Sequence, residues 1–303
     1  MSRPPSNTTS GVLLVDKPQG ITSHDVVARV RKLVGTRKVG HAGTLDPMAT
    51  GLLILGINNS TRLLTWIVGL DKEYSATIRL GATSATDDAE GELGESADAA
   101  TLAAATDEAI AAGVAALTGP ILQRPSSVSA IKVDGKRAYT LAREGTEVVL
   151  DARPVLISAF EVLGVRRGQW VDVDVRVECS TGTYIRALAR DLGVALNTGG
   201  HLTALRRTRI GPFGIDSATG IVDDIVERLL PPVDVATKLF VRADLSATQA
   251  VDLAHGKRIQ LPDSEGTTAA VGPDGRLLGL VNVIDGKAHV LVNFPVDVPV
   301  VPE

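Results

Sequence analysis

The chain has 303 residues, enough for one large domain or two. Hydrophobic residues make up 44% and charged residues 22%, the balance of a globular chain with a sizeable core. A formal charge of −4 excludes a uniformly basic nucleic-acid binder, and the single cysteine, Cys179, excludes an intramolecular disulfide and a cysteine-rich metal site. No apolar stretch approaches the roughly 20 residues of a membrane span, so no membrane association is expected.

Residues 1–10 are polar, carry two prolines and read as a disordered lead-in without a signal-peptide core. Val12 to Val15 predicts a short strand, ended by the turn Asp16-Lys17-Pro18-Gln19-Gly20. Ser23 is expected to cap a helix, with Asp25 in its first turn. Val26, Val27, Val30, Leu33 and Val34 recur at helical spacing and Gly35 stops the pattern.

Glu73 to Leu80 alternates. Tyr74, Ala76, Ile78 and Leu80 share one face; Glu73, Ser75, Thr77 and Arg79 share the other, as in a half-buried strand. Thr101 to Leu117 is alanine-rich and predicts one helix, ended by Gly119-Pro120. Val171 to Cys179 alternates strictly, which makes Cys179 a small core residue rather than a reactive thiol. Ile185, Leu188, Ala189 and Leu192 then form a helical stripe. Arg186 lies off it, placed to reach toward a site.

A boundary is expected near Pro231-Pro232 to Phe240. Beyond it, the turns Pro273-Asp274-Gly275 and Asp285-Gly286 separate short apolar runs, the pattern of a small β-rich domain. Strands and helices mix without regular alternation, so the fold class is α+β with a mainly antiparallel sheet.

Charge is patterned locally. Arg29, Arg31, Lys32, Arg37 and Lys38 form one basic cluster; Lys132, Lys136 and Arg137 a second; Arg206, Arg207 and Arg209 a third. Asp87, Asp88, Glu90, Glu92, Glu95 and Asp98 read as a solvated acidic loop. Each cluster serves equally well as a solubilising surface or as a contact for phosphates.

The segment most suited to chemistry runs from Gly40 to Gly51. Three glycines and Pro47 surround one carboxylate, Asp46. Glycine permits sharp turns and close approach, and proline stiffens the loop, so the carboxylate is held on a rigid support. An ordinary turn with a capping aspartate has the same composition. Tyr74 and the segment Cys179 to Arg186 are the other candidates. Tyrosine offers a stacking face with a polar tip, and an arginine beside a carboxylate keeps it ionised. As lone residues they read equally as a core tyrosine and a surface arginine. Phosphate-loop, paired-histidine and nucleophile-elbow patterns are absent from the sequence.

Gly11 to Ser23 followed by Gly40 to Gly51 closely resembles the bacterial tRNA pseudouridine synthases of the TruB type. So do Asp71-Lys72-Glu73-Tyr74, Ser180 to Gly193 and His201 to Arg207. The resemblance implies a pseudouridine synthase fold in which a mixed, mainly antiparallel sheet is flanked by helices and loops, with a small PUA-like β domain at the C-terminus. It implies a catalytic domain over residues 11–238, an RNA-clamping insertion at about 122–154, and the PUA-like domain over 239–303. The implied reaction isomerises the uridine at tRNA position 55 in the T-loop, without cofactor or metal. Asp46 is then the nucleophile, Tyr74 stacks on the flipped base and takes its C5 proton, and Arg186 pairs with the aspartate. His41, Tyr184 and Leu205 line the RNA and base pocket. Lys17 supports the site at the RNA-binding surface, and Lys132, Lys136, Arg137 and Arg143 meet phosphates.

The expected partner is the T-stem-loop of tRNA, met in the cytoplasm by a monomer with no obligate protein partner. Attack at C6 of the base and at C1′ of the ribose are both compatible with one aspartate. A non-catalytic tRNA-folding protein on the same scaffold is the alternative. A carboxylate-based glycoside hydrolase ranks below it, because no second acid sits in a comparable loop.

Overall fold

The computed structural model describes residues 9–126, 132–133, 136–137, 150–222 and 224–295. In chain order the elements are β1 (Gly11–Lys17), α1 (Ser23–Val34), β2 (Val39–His41), β3 (Thr50–Ile57), α2 (Leu64–Val68), β4 (Lys72–Leu80), β5 (Ala82–Ser84) and β6 (Leu93–Ser96). Next come α3 (Ala99–Ala104), α4 (Asp107–Ala116), β7 (Gly119–Gln123), β8 (Lys132–Val133), β9 (Lys136–Arg137), β10 (Arg153–Arg167) and β11 (Val171–Cys179). The chain continues through α5 (Ile185–Ala195), β12 (Gly200–Ile210), β13 (Phe213–Gly214), α6 (Pro232–Leu239), β14 (Val241–Asp244), α7 (Ala247–Ala254), β15 (Thr267–Val271), β16 (Leu277–Ile284) and β17 (Lys287–Asn293). Among the described residues, no helix is long and apolar enough to cross a membrane.

Two compact units divide the chain. One comprises the described residues up to Pro47, Leu52–Val68 and those from Pro212 onward; the other comprises Met48–Gly51 and the described residues of Gly69–Gly211.

The second unit is built on an antiparallel run of strands in the order β12, β4, β11, β10, β7. Thr50 and Gly51 lie parallel beside Arg206 and Arg207, so the sheet is mixed but mainly antiparallel, as the sequence predicts. The alternation in β4 and β11 follows from one dry face. Tyr74, Ala76, Ile78 and Leu80 are buried with Val171, Val173, Val175, Val177 and Cys179. On the other face the cross-strand partners are charges. Arg79 makes a two-pronged pair with Asp172 at 2.7 and 2.8 Å, and Arg176 reaches Glu73, Glu161 and Glu178. Cys179 has the burial of a core residue, which pushes its thiol up to about 11.

The alanine-rich stretch departs from expectation. It forms two helices, because Thr106 accepts from the Ala109 amide at 3.2 Å and starts a new helix where α3 has ended. Gly119, at φ +95°, opens β7 rather than merely stopping a helix.

In the first unit β1 lies beside β3, and β2 pairs antiparallel with β3, opposing His41 to Leu55. Helix α1 buries Val26, Val27, Val30 and Val34 and ends at Gly35 in the left-handed region at φ +72°. Its cap is Thr22, not Ser23: Thr22 accepts from the Asp25 amide, and the Asp25 carboxylate accepts from the Thr22 amide. The C-terminal part is a four-stranded sheet, β14-β15-β16-β17, packed with α7 around Leu253, Ala270, Val281 and Val283. Pro232 is the first residue of α6, where its missing N–H costs nothing.

Candidate active site

Asp46 lies in the first unit, half-buried, in the irregular segment between β2 and β3. The flanking residues are tied to the turn between β1 and α1. On one side, Leu45 meets the buried Ser23 hydroxyl through both main-chain groups, at 2.9 and 3.1 Å. On the other, the Pro47 carbonyl accepts from the Gly20 amide at 2.8 Å and from the Lys17 ammonium at 3.4 Å.

Lys17 is fully buried and also donates to the carbonyls of Pro18 and Ile21 at 3.0 and 2.7 Å. Full burial keeps the ammonium off the surface, where it holds the turn beside the Asp46 loop. His41 is half-buried at the end of β2, with its ring edge-on to His24 at 5.6 Å.

The glycine rule applies with force at the far end of the loop. Gly51 has φ +101°, and a Cβ there would fall 2.3 Å from the Arg207 carbonyl oxygen. Only glycine permits the strand start to lie so close to β12.

Tyr74, Arg186, Tyr184 and Leu205 belong to the second unit. Tyr74 on β4 opposes Val177 on one side and Arg207 on the other, and Leu205 opposes Ala76 one pair along. Tyr74 and Leu205 therefore share the buried face as near neighbours. Arg207, read in sequence as part of a basic surface cluster, is 1% exposed; Arg209 is engaged by Asp71 and Glu178. Arg207 is thus a buried component of the sheet, while Arg206 and Arg209 are half-buried.

Tyr184 is the N-cap residue of α5. The Gln123 side-chain amide grips its main chain twice, accepting from its N–H at 2.8 Å and donating to its carbonyl at 3.1 Å. Arg186 follows within the first turn and is 4% exposed. Its Nη1 donates to the Thr86 carbonyl at 2.8 Å and stands 3.4 Å from an Asp88 carboxylate oxygen. Asp88, 2% exposed, accepts from the Glu90 amide at 3.0 Å and from the Thr86 hydroxyl. Its neighbour Asp87 takes hydrogen bonds from Ser126 at 2.6 Å and Arg190 at 3.2 Å.

The acidic run is accordingly not one solvated loop. Its first two members are structural anchors, while Glu90, Glu92, Glu95 and Asp98 are exposed. Asp88 and Gln123 carry weight at this site and were not singled out in the sequence. The available signal was Arg186 itself: a cation inside an apolar helix needs a carboxylate, and the nearest acidic residues between strands were candidates.

Lys132 and Arg137 are register partners of the antiparallel strands β8 and β9. Their side chains, and the expected phosphate contact Arg143, lie outside the described residues.

The arrangement of strands and helices is shared with solved structures. A crystallised Cbf5–Nop10–Gar1 complex contains a chain that aligns over 97% of this one and 86% of its own length, with a TM-score of 0.70 at 24% identity. An archaeal box H/ACA Nop10–Cbf5 complex aligns over 97% and 88%, with a TM-score of 0.68 at 22% identity. Identity that low shows a common fold alone. Family comparison goes further. Residues 31–185 match "TruB family pseudouridylate synthase (N terminal domain)", residues 186–236 "tRNA pseudouridylate synthase B C-terminal domain", and residues 240–295 "tRNA Pseudouridine synthase II, C terminal". A curated protein of Leifsonia xyli subsp. xyli named tRNA pseudouridine synthase B is 59% identical, with 95% of this chain and 97% of that protein covered. The protein of that name from Paenarthrobacter aurescens is 57% identical, over 90% and 91%. The chain belongs to the TruB family of pseudouridylate synthases.

Proposed function

We propose that this protein isomerises a uridine of tRNA to pseudouridine, acting on the T-loop at position 55, with Asp46 as nucleophile. The observation that carries the reading is family membership along nearly the whole chain, combined with a single aspartate whose two chain neighbours are both pinned. The reaction breaks the N1–C1′ bond, rotates the base and joins C5 to C1′; the C5 proton leaves and N1 gains one. Redox state is unchanged and no phosphate moves. A carboxylate suffices as covalent nucleophile, splitting one hard step into two.

Tyr74 provides a buried ring on which the extruded base stacks, worth roughly 1–3 kcal/mol against the cost of unstacking. In this reading Tyr74 takes the C5 proton and Arg186 pairs with Asp46. Leu205, Tyr184 and His41 complete the pocket. Residues 11–238 form the catalytic domain, the insertion at 122–154 closes over the T-loop arm, and residues 239–303 act as a PUA-like domain. The enzyme works as a monomer in the cytoplasm, its partner being tRNA.

The test uses unmodified tRNA transcript and maps pseudouridine by chemical labelling and primer extension. One stop at the T-loop uridine, lost in Asp46→Asn, supports substrate, reaction and nucleophile together. Clear tRNA binding without product from the unaltered protein would favour a tRNA-folding role instead.

A further inference from the structure

Ser23 has a hydroxyl with no capping duty. The N-cap function of α1 is discharged by Thr22 through its reciprocal bonds with Asp25. Ser23 is the first residue of the helix and 1% exposed, and its Oγ turns to the loop that carries the proposed nucleophile. There it does two things to one residue: it accepts from the Leu45 amide at 2.9 Å and donates to the Leu45 carbonyl at 3.1 Å. A hydroxyl owns one proton and two acceptor sites, so a single serine satisfies both groups of a main-chain unit that is itself buried.

We infer that Ser23 is a positioning residue for Asp46. The inference rests on the reading of Asp46 as nucleophile. The Leu45 carbonyl belongs to the peptide plane that Leu45 shares with Asp46, and that plane is rigid, so fixing the carbonyl fixes where the aspartate backbone begins. The Pro47 carbonyl is fixed on the other side by Gly20 and Lys17. Asp46 is thus suspended between two anchored neighbours. The Ser23 anchor is the one made by a small side chain that can be removed without leaving a buried charge.

Removing the hydroxyl leaves the Leu45 N–H and C=O without this partner in a site closed to water, and the segment shifts to recover hydrogen bonds. A displacement of about 1 Å costs roughly 100-fold in rate when the reacting group itself moves. Substrate affinity, set by contacts elsewhere, stays the same. A residue that merely stabilised the fold would instead lower the folded fraction and leave the rate per folded molecule intact.

The experiment measures single-turnover pseudouridine formation at saturating enzyme, tRNA dissociation constants and thermal melts for the unaltered protein, Ser23→Ala and Asp46→Asn. For Ser23→Ala we expect a rate per folded molecule about 10- to 100-fold lower, above that of Asp46→Asn, with the tRNA dissociation constant within about twofold. An unchanged rate overturns the inference, as does a loss carried wholly by tRNA affinity or by folded fraction. Should Ser23→Ala not fold, Ser23→Cys, which keeps the shape with a weak donor and acceptor, is read by the same criteria. Absence of product from the unaltered protein would instead sink the functional reading, and this inference with it. Activity in the unaltered protein, lost in Asp46→Asn and intact in Ser23→Ala, sinks this inference alone.

Discussion

Asp46 and Arg186 are held in opposite ways. The aspartate is positioned through main-chain bonds made by its neighbours, Leu45 and Pro47, to Ser23, Gly20 and Lys17. The arginine is positioned through its own side chain, by Asp88 and the Thr86 carbonyl. Main-chain anchoring depends on shape. Side-chain anchoring depends on charge, so one substitution at a distance can undo it. The difference teaches where each residue is vulnerable, and it orders the expected effects of mutation.

The largest effect belongs to Asp46 itself. Asp46→Asn keeps the size of the side chain and the main-chain anchors, so the fold and tRNA affinity should persist while product formation falls by about 10⁴-fold or more. Rapid-quench assays with labelled tRNA check this. Retained activity would break the comparison at its root, because the rigidly supported group would not be the reacting one.

Next comes the ion pair. Asp88→Asn removes a carboxylate that stands 3.4 Å from the buried Arg186 guanidinium, and breaking such a pair costs about 3–5 kcal/mol. Both stability in urea titrations and the rate of pseudouridine formation should fall, because Arg186 will turn toward another partner. If only stability falls, Asp88 supports the fold and not the placement of Arg186. Arg186→Lys should lower the rate as well, since it replaces a planar five-donor fork with a compact point charge.

Gly51→Ala tests the loop's far end. Alanine at φ +101° is strained, and its Cβ would overlap the Arg207 backbone at 2.3 Å. A loss of about 3 kcal/mol in unfolding free energy is expected. Wild-type stability in this variant would mean that β3 and β12 separate easily at this point.

What the sequence made legible follows the same division. Shape-driven features were readable: the alternation of β4 and β11, the apolar stripes of α1 and α5, and a glycine-rich loop around one aspartate. Partnerships were not. Thr22 and Ser23 are chemically interchangeable caps, and the choice turned on Asp25 standing three residues after Thr22, which completes the reciprocal pair. The second of two adjacent aspartates looked solvated because hydrophilicity says nothing about a distant arginine 98 residues along the chain. Thr106-Asp107 was a cap signal concealed in an alanine-rich run. The arginines of β12 appeared as a surface cluster because one-dimensional reading cannot see Arg207 fill the position opposite Tyr74.

Lys72 extends the comparison to a second buried cation, on β4. It is 6% exposed; burial first, and the Arg207 charge second, bring its pKa down to about 8, against smaller opposing effects of Cys179 and then Asp71. Below pH 8 both folded and unfolded chains hold the proton, so the folded state bears the full cost of a buried charge. Between about 8 and the ordinary lysine value of 10.5, the unfolded chain binds more protons than the folded one, and stability must rise with pH. Cys179, directly opposite Lys72, acts in the reverse sense. Its thiol is pushed from 9.0 to about 11, so deprotonation favours the unfolded chain above pH 9. The two effects offset there, leaving a window between pH 8 and 9 in which Lys72 dominates. A rise of about 1 kcal/mol across that unit is expected in urea titrations. Lys72→Met, which keeps the length and removes the charge, should abolish the rise and leave only the decline from Cys179. A rise that survives in Lys72→Met would place the titrating group elsewhere.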